Sequence, residues 1–258
     1  MIRGFYNSVS GLITLQNEQE TITNNIANIN NNGYKKRLLT KQSFDDVMIS
    51  NRQKLNGDKY VRNNIGTMNL GVKTSDVETI FTQGSFKSTD KKTDFAIDGR
   101  GFFTVKRGNQ TLFTRDGNFK IDQQGYLITN NGDRVLGRNL VTGNQEDIFI
   151  GDKEFSLDGE NRLQFQDGTV THQLLTADFS NEDYDKLEKV GNNYYTGGTP
   201  IYDARVEVRQ NMLESSNIDS AEQIVKLMEI KRQFETNQKF VKMQDDTLEK
   251  AANQIGRV

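Results

Sequence analysis

The chain has 258 residues, with 33 Lys+Arg against 35 Asp+Glu, a formal charge of −2. That balance, with no long basic stripe, argues against a nucleic-acid protein, which binds by releasing counterions from phosphate. Cysteine is absent and His172 is the single histidine, so thiol nucleophiles, thiolate metal sites and disulfides are excluded and one imidazole is left.

The chain opens on a helical stripe. Apolar residues fall at Ile2, Phe5, Val9 and Leu12, then resume at Leu15, Ile22, Ile26 and Ile29 after one three-residue register skip. Asn7, Ser8, Ser10, Thr14 and Gln16 interrupt the apolar run that a cleavable signal needs, so none is expected here. No run of about 18 apolar residues occurs anywhere, and no membrane-spanning segment is expected. The stripe meets Asn28, Asn30, Asn31, Asn32 and Gly33, residues that tolerate the left-handed conformation closing a helix. A stop near Asn32-Gly33 is therefore predicted. Asn24, Asn25 and Asn28 have two readings: amides that fix helix register if buried, or plain helix-end polarity.

The next stretch, from Lys35 to Leu70, is polar and pattern-poor and reads as a linker or extended arm. From about 70 to 205 the pattern turns to strands. Asp98-Gly99, Asp116-Gly117, Asn131-Gly132, Asp158-Gly159 and Asp167-Gly168 are the residues that tight hairpin turns use, because they accept positive φ. β-prone segments lie at 102–105, 111–114, 126–129 and 147–150. An antiparallel sheet is predicted, with Asp98, Gly99, Gly101, Phe102 and Phe103, and again Arg115, Asp116 and Gly117, building its hairpins.

The last segment begins near Ile218. Leu227, Phe234, Val241, Leu248 and Ile255 recur every seven residues, a coiled-coil seam. Lys231, Gln238, Asp245 and Ala252 make a poor second column, while Ile224, Ile230 and Phe240 add apolar surface beside the first. Ser216 or Asp219 caps the start, Asp219 with Glu222 three residues on. A helix from about 220 to 255 would run roughly 54 Å, long for the interior of a domain this size. The fold class expected is thus α+β: long terminal helices forming a coiled-coil-like layer, and a central, mainly antiparallel β domain. The divisions are 1–34, 35–70, 71–210 and 211–258.

Other chemistry finds little support. Gly99-Arg100-Gly101 has Thr104 where a dinucleotide loop needs its third glycine, and no helix pattern follows. Asp116-Gly117-Asn118 opens like a calcium loop, but Lys120 occupies the next ligand position. His172 sits in an alternating strand. Asp94 and Asp98, available for a carboxylate pair, lie beside turns, where Asp serves local hydrogen bonds. No catalytic residue, metal or cofactor is expected, and the chain does not read as an enzyme.

The helical ends are the informative feature. Isolated helices are marginal in water, and with 34% hydrophobic residues neither end has a core of its own. They fit either an α-hairpin lying on the β domain or helices that order on self-assembly; the second is favoured. Leu12, Ile22, Ile26, Leu227, Phe234, Val241 and Leu248, with Ile255, are the expected interface.

Three blocks make the chain similar to the bacterial flagellar rod and hook family. The first is Ser10-Gly11-Leu12, Asn24-Asn25-Ile26-Ala27-Asn28 and Gly33-Tyr34-Lys35, with Asn31 and Asn32 in place of the usual Thr and small residue. The second is Thr82-Gln83-Gly84-Ser85, then 94–103 and 113–119. The third is Leu213-Glu214-Ser215-Ser216-Asn217-Ile218-Asp219, with Asn211 in place of an expected glycine. The blocks cover both ends and the centre and most resemble rod proteins, the hook protein being longer. The resemblance implies a structural subunit of the basal-body rod, placed in the cell envelope outside the cytoplasmic membrane. Its partners would be copies of itself, other rod or hook proteins and the flagellar export apparatus. It also implies a tubular drive shaft with the terminal helices inside and the β domain outside. The alternative is a cell-surface or wall-binding β domain on an oligomerising helical stalk.

Overall fold

The computed structural model describes residues 2–54, 60–151, 153–202 and 206–255, without the side chains of 2, 3, 54, 60, 254 and 255. It divides into two compact units: residues 1–26, 37–79 and 219–258, and residues 27–36 and 80–218.

In the first unit, α1 (Ile2–Ala27) is followed by β1 (Arg37–Ser43), β2 (Val47–Lys54), β3 (Tyr60–Met68) and β4 (Val72–Thr79). β1 pairs with β4 and β2 with β3, both antiparallel. The stretch read as a linker or arm is therefore a nested two-stranded ribbon. Its pattern was weak because both faces of β2 and β3 are largely exposed, so no alternation is imposed on the sequence. α1 ends at Ala27, short of the predicted stop. From Asn28 the chain turns: the Asn31 side chain donates to Asn28 Oδ1 at 2.7 Å, and the Asn31 N–H to the Asn28 carbonyl. Asparagine side chains that bond locally compete with the helix.

α3 (Ser220–Lys250) completes the unit and runs into a π-helical turn, Ala251–Ile255. Of the two expected caps, Ser216 and Asp219, it is Asp219 that caps the helix, accepting from the N–H groups of Ala221 and Glu222.

The second unit is β-rich: β5 (Phe86–Ser88), β6 (Phe95–Asp98), β7 (Phe102–Arg107), β8 (Gln110–Thr114), β9 (Phe119–Ile121), β10 (Leu127–Thr129), β11 (Arg134–Asn139), β12 (Gln145–Asp147), β13 (Phe155–Leu157), β14 (Arg162–Phe165), β15 (Val170–Leu174), β16 (Thr176–Ala177), the one-turn α2 (Asn181–Tyr184), β17 (Glu188–Lys189), β18 (Tyr194–Thr196), β19 (Glu207–Gln210) and β20 (Met212–Glu214). A 12-stranded sheet runs β13-β14-β15-β11-β7-β8-β18-β17 along its main path, with every recorded pairing antiparallel. β6 pairs with β19 and β5 with β20. Alternation along β7 splits the core: Phe103 and Val105 enter a cluster with Leu127 and Ile148, and Phe102 enters an aromatic one with Phe113, Phe179 and Tyr195.

Two expected hairpins are absent. Asp98 to Gly101 links β6 to β7, and Arg115 to Gly117 links β8 to β9; neither pair of strands is hydrogen-bonded. Gly101 does sit at φ +127°, but Gly117 is not in the left-handed region. What holds a glycine at 117 is space, since a Cβ there would overlap the Phe95 carbonyl oxygen. The segment 147–150 is likewise not a strand throughout, because β12 ends at Asp147 and Phe149 only bridges Tyr126.

Candidate assembly site

Residues of α1 and α3 meet in an antiparallel arrangement within the first unit. Leu15, Ile22 and Ile230 are buried together, with Ile26, Leu227 and Phe234 packed against them. A Cβ on Gly4 would lie 3.0 Å from Gln244 Nε2, and one on Gly11 3.3 Å from Asn237 Nδ2. Seven residues forward on α1 are thus matched by seven back on α3, and small residues on α1 accept the polar side chains of α3. At the far end Asn25 Nδ2 reaches Gln223 Oε1 at 3.4 Å.

Asn25 is the best-anchored of the predicted asparagines. Its amide donates to the Arg37 carbonyl at 2.8 Å and accepts from the Arg37 N–H at 3.0 Å, so one side chain joins α1 to the start of β1. It is buried, whereas Asn24 is exposed and Asn28 is half-buried in the turn after α1. Thr14 and Ser10 lie along β4: Thr14 Oγ1 approaches the Val72 carbonyl and the Val72 N–H approaches Ser10 Oγ, each at 3.4 Å. Glu18 pairs with Lys41 at 2.5 Å.

Of the expected interface residues, Ile22 is buried; Leu12, Ile26, Leu227, Phe234 and Val241 are half-buried; Leu248 is 36% exposed. The Ile255 side chain lies outside the described residues. The second column differs from the expected one. It is Gln223, Ile230, Asn237 and Gln244, four residues before each seam position, not Lys231, Gln238 and Asp245, four after. Only Gln223 and Ile230 are fully buried among the described residues of α3. The outward side of the helix is mixed: Ile224, Val225 and Met228 are each 50% exposed, and Phe240 and Met243 about as much, among exposed charges such as Glu229, Arg232, Glu235 and Lys239. On α1, Tyr6 and Ile13 point outward too.

A second constellation lies in the β-rich unit and draws on all three sequence blocks. Lys35 Nζ donates to Glu214 Oε1 at 2.6 Å and to the Thr82 carbonyl at 2.8 Å. Arg115 Nη1 reaches Glu214 Oε2 at 3.4 Å, and the Gly84 N–H donates to Glu214 Oε1 at 2.9 Å. All three charged side chains are buried. Around them, Asn217 accepts from the Lys36 N–H at 2.7 Å and donates to the Ile80 carbonyl at 2.8 Å. Burial pulls the Lys35 ammonium below its ordinary range; Glu214 opposes that shift and Arg115 adds to it. Arg115 was expected in a hairpin; Lys35 and Glu214 appeared in the sequence blocks with no role attached. The β-turn residues are placed as follows: Asp98 pairs with Arg209 at 2.5 Å, and the Gly99 N–H donates to Gln83 Oε1 at 3.0 Å.

Asp116 lies beside this cluster in sequence and accepts from the Asn118 N–H at 3.0 Å. Burial, and then the Asp94 carboxylate, push its pKa up from 3.8 to about 6, against the pull of that N–H. The folded chain therefore keeps a proton that the unfolded chain has released. The contribution of this group to stability is fully present below the unfolded value and is lost as pH rises from about 4 to about 6, on the order of 3 kcal/mol. Asp116→Asn keeps the acceptor and removes the charge. We expect urea midpoints of this variant to exceed wild type at pH 7 and to lack that slope; an unchanged slope would mean that another group carries it.

Comparisons with known proteins match these regions separately. Residues 5–35 match the family model described as flagella basal body rod protein. Residues 96–180 match the flagellar hook protein FlgE/F/G D1 domain, and residues 209–255 the flagellar basal body rod FlgEFG protein C-terminal. The chain is 31% identical to the flagellar basal-body rod protein FlgG of Bacillus subtilis, covering 98% of this chain and 99% of that one. It is 28% identical to the flagellar hook-basal body complex protein FlhO of the same organism, covering both in full. It is 31% identical to FlgG of Agrobacterium fabrum, over 93% and 94% of the two chains.

Proposed function

The chain belongs to the flagellar basal-body rod protein family, and from that premise we propose that it is a structural subunit of the basal-body rod, serving motility in the cell envelope outside the cytoplasmic membrane. Its work is mechanical, and no catalytic step is assigned to it. The observation that supports the assembly reading is the set of large apolar side chains that both helices leave exposed. Ile224, Val225 and Met228 on α3, and Tyr6 and Ile13 on α1, are side chains that a soluble helix pair would leave polar.

In this reading α1 and α3, within the segments 1–34 and 211–258, form a coiled-coil-like layer with copies of the chain and with other rod or hook proteins. Leu12, Ile22, Ile26, Leu227, Phe234, Val241, Leu248 and Ile255 line that layer, and Asn25 fixes its register. A head-to-tail contact repeated with a rotation yields an open tube, stiff enough for a drive shaft when many helices are buried side by side. The ribbon, which runs past the expected 35–70 to Thr79, is the arm that touches neighbours, and the β-rich unit from Ile80 onward is the outer β domain expected for 71–210. The flagellar export apparatus delivers the chain unfolded, without cleavage of a signal.

Electron microscopy of isolated basal bodies with an epitope-tagged subunit tests the proposal. Gold label along the rod is the expected result. Label on the cell wall away from basal bodies would replace it with the wall-binding reading.

A further inference from the structure

Residues 27–36 cross the β-rich unit as a strap, and how they are held there differs from how the rest of that unit is held. Neither of its two apolar clusters includes a strap residue. Tyr34 is the large apolar side chain that the strap buries, under the Lys189 ammonium at 3.9 Å. The other contacts are polar: Asn193 donates to the Asn32 carbonyl, the Lys36 backbone bonds Asn217 and Ile80, and the charged ones centre on Glu214. Its carboxylate takes Lys35 and Arg115, and its backbone carbonyl accepts from the Gly33 N–H at 2.7 Å. Gly33 sits at φ +64°, where a Cβ would overlap the Arg115 backbone, so this path along the β8–β9 connection needs glycine.

The charges do not balance. Two cations face one carboxylate, all buried. A charge taken out of water is costly unless it is paired, and among the described residues no second carboxylate pairs with either cation. We propose that Lys35, Glu214 and Arg115 form a clasp that opens and closes as one unit: the β core stays folded while the strap is released, and the uncompensated cation sets how often this happens. The fold then has two discrete states, distinguished by the strap alone.

The sign of two substitutions separates this from a merely structural ion pair. Glu214→Gln leaves two buried cations without an anion and should open the clasp. Lys35→Met leaves the neutral Arg115–Glu214 pair. The Gly84 N–H still serves Glu214, and the Asn217 amide still serves the Thr82 carbonyl at 3.1 Å, so no buried acceptor is orphaned. This variant should close the clasp. Hydrogen exchange on the full-length chain reads both. We expect the amides of residues 27–36, Gly33 and Lys36 above all, to exchange at least tenfold faster in Glu214→Gln and more slowly than wild type in Lys35→Met, with β7 and β8 unchanged in both. The inference is overturned if strap exchange in Glu214→Gln is unaltered, if β7 and β8 change along with the strap, or if Lys35→Met exchanges at or above the wild-type rate.

Discussion

Replacing Phe234 and Val241 together by Asp should abolish swimming while leaving the β-rich unit folded. Phe234 packs on the cluster of Leu15, Ile22 and Ile230, and Val241 is the next half-buried seam position on α3. Each substitution loses about 1 kcal/mol of apolar burial at these half-buried sites and sets a carboxylate at an apolar helix contact. The small cluster joining α1 and α3 has no reserve to absorb this, because Ile230 is the one apolar side chain fully buried among the described residues of α3. Non-motile cells that still export the subunit, with near-ultraviolet circular dichroism of the β core retained, are the expected outcome. Normal swimming halos would refute the helix seam as the assembly element.

The second large effect is steric. Gly117→Ala places a methyl inside the van der Waals radius of the Phe95 carbonyl oxygen, with the Phe103 ring 3.0 Å away. The Phe95 N–H donates back to the Gly117 carbonyl at 3.0 Å, so the backbone cannot retreat without losing that bond. Overpacking of this kind costs about 3 kcal/mol or more. Gly159→Ala is the control: its Cβ meets nothing within 4 Å and its φ is not positive. That change should be neutral or stabilising by up to about 1 kcal/mol. Denaturant midpoints of the two variants should separate widely, and similar midpoints would show that the β8–β9 connection is softer than its geometry indicates.

These two positions also show what was legible beforehand. Phe234 and Val241 were found by a seven-residue period, because a helix buries a line of side chains and repeats it. The partner column was misplaced for a physical reason. Gln223, Asn237 and Gln244 are polar, so they look like surface, yet Gln244 and Asn237 sit over Gly4 and Gly11 on α1, where little side chain competes, and Gln223 meets the Asn25 amide. At Gly117 the dipeptide was recognised, but the turn chemistry inferred from it was not the reason for the glycine; a carbonyl from Phe95, 22 positions away in sequence, was. The clasp lay further out of reach. Lys35, Arg115 and Glu214 stand in loops and at a strand end, where single charges are normally solvated, and only the folded path of the strap brings them together. The ribbon is pattern-poor because its outer strands, β2 and β3, are largely open on both faces.

That ribbon has a consequence for how such chains change length over evolution. Since β1 and β4 are already opposite each other at Ser43 and Val72, roughly 5 Å apart as any antiparallel neighbours are, everything between them is a detour that leaves and returns to one point. Excising it, or lengthening it by equal amounts on both legs, requires a new turn and nothing else. Reach can therefore be retuned by gene-level insertions and deletions without disturbing the helices behind it.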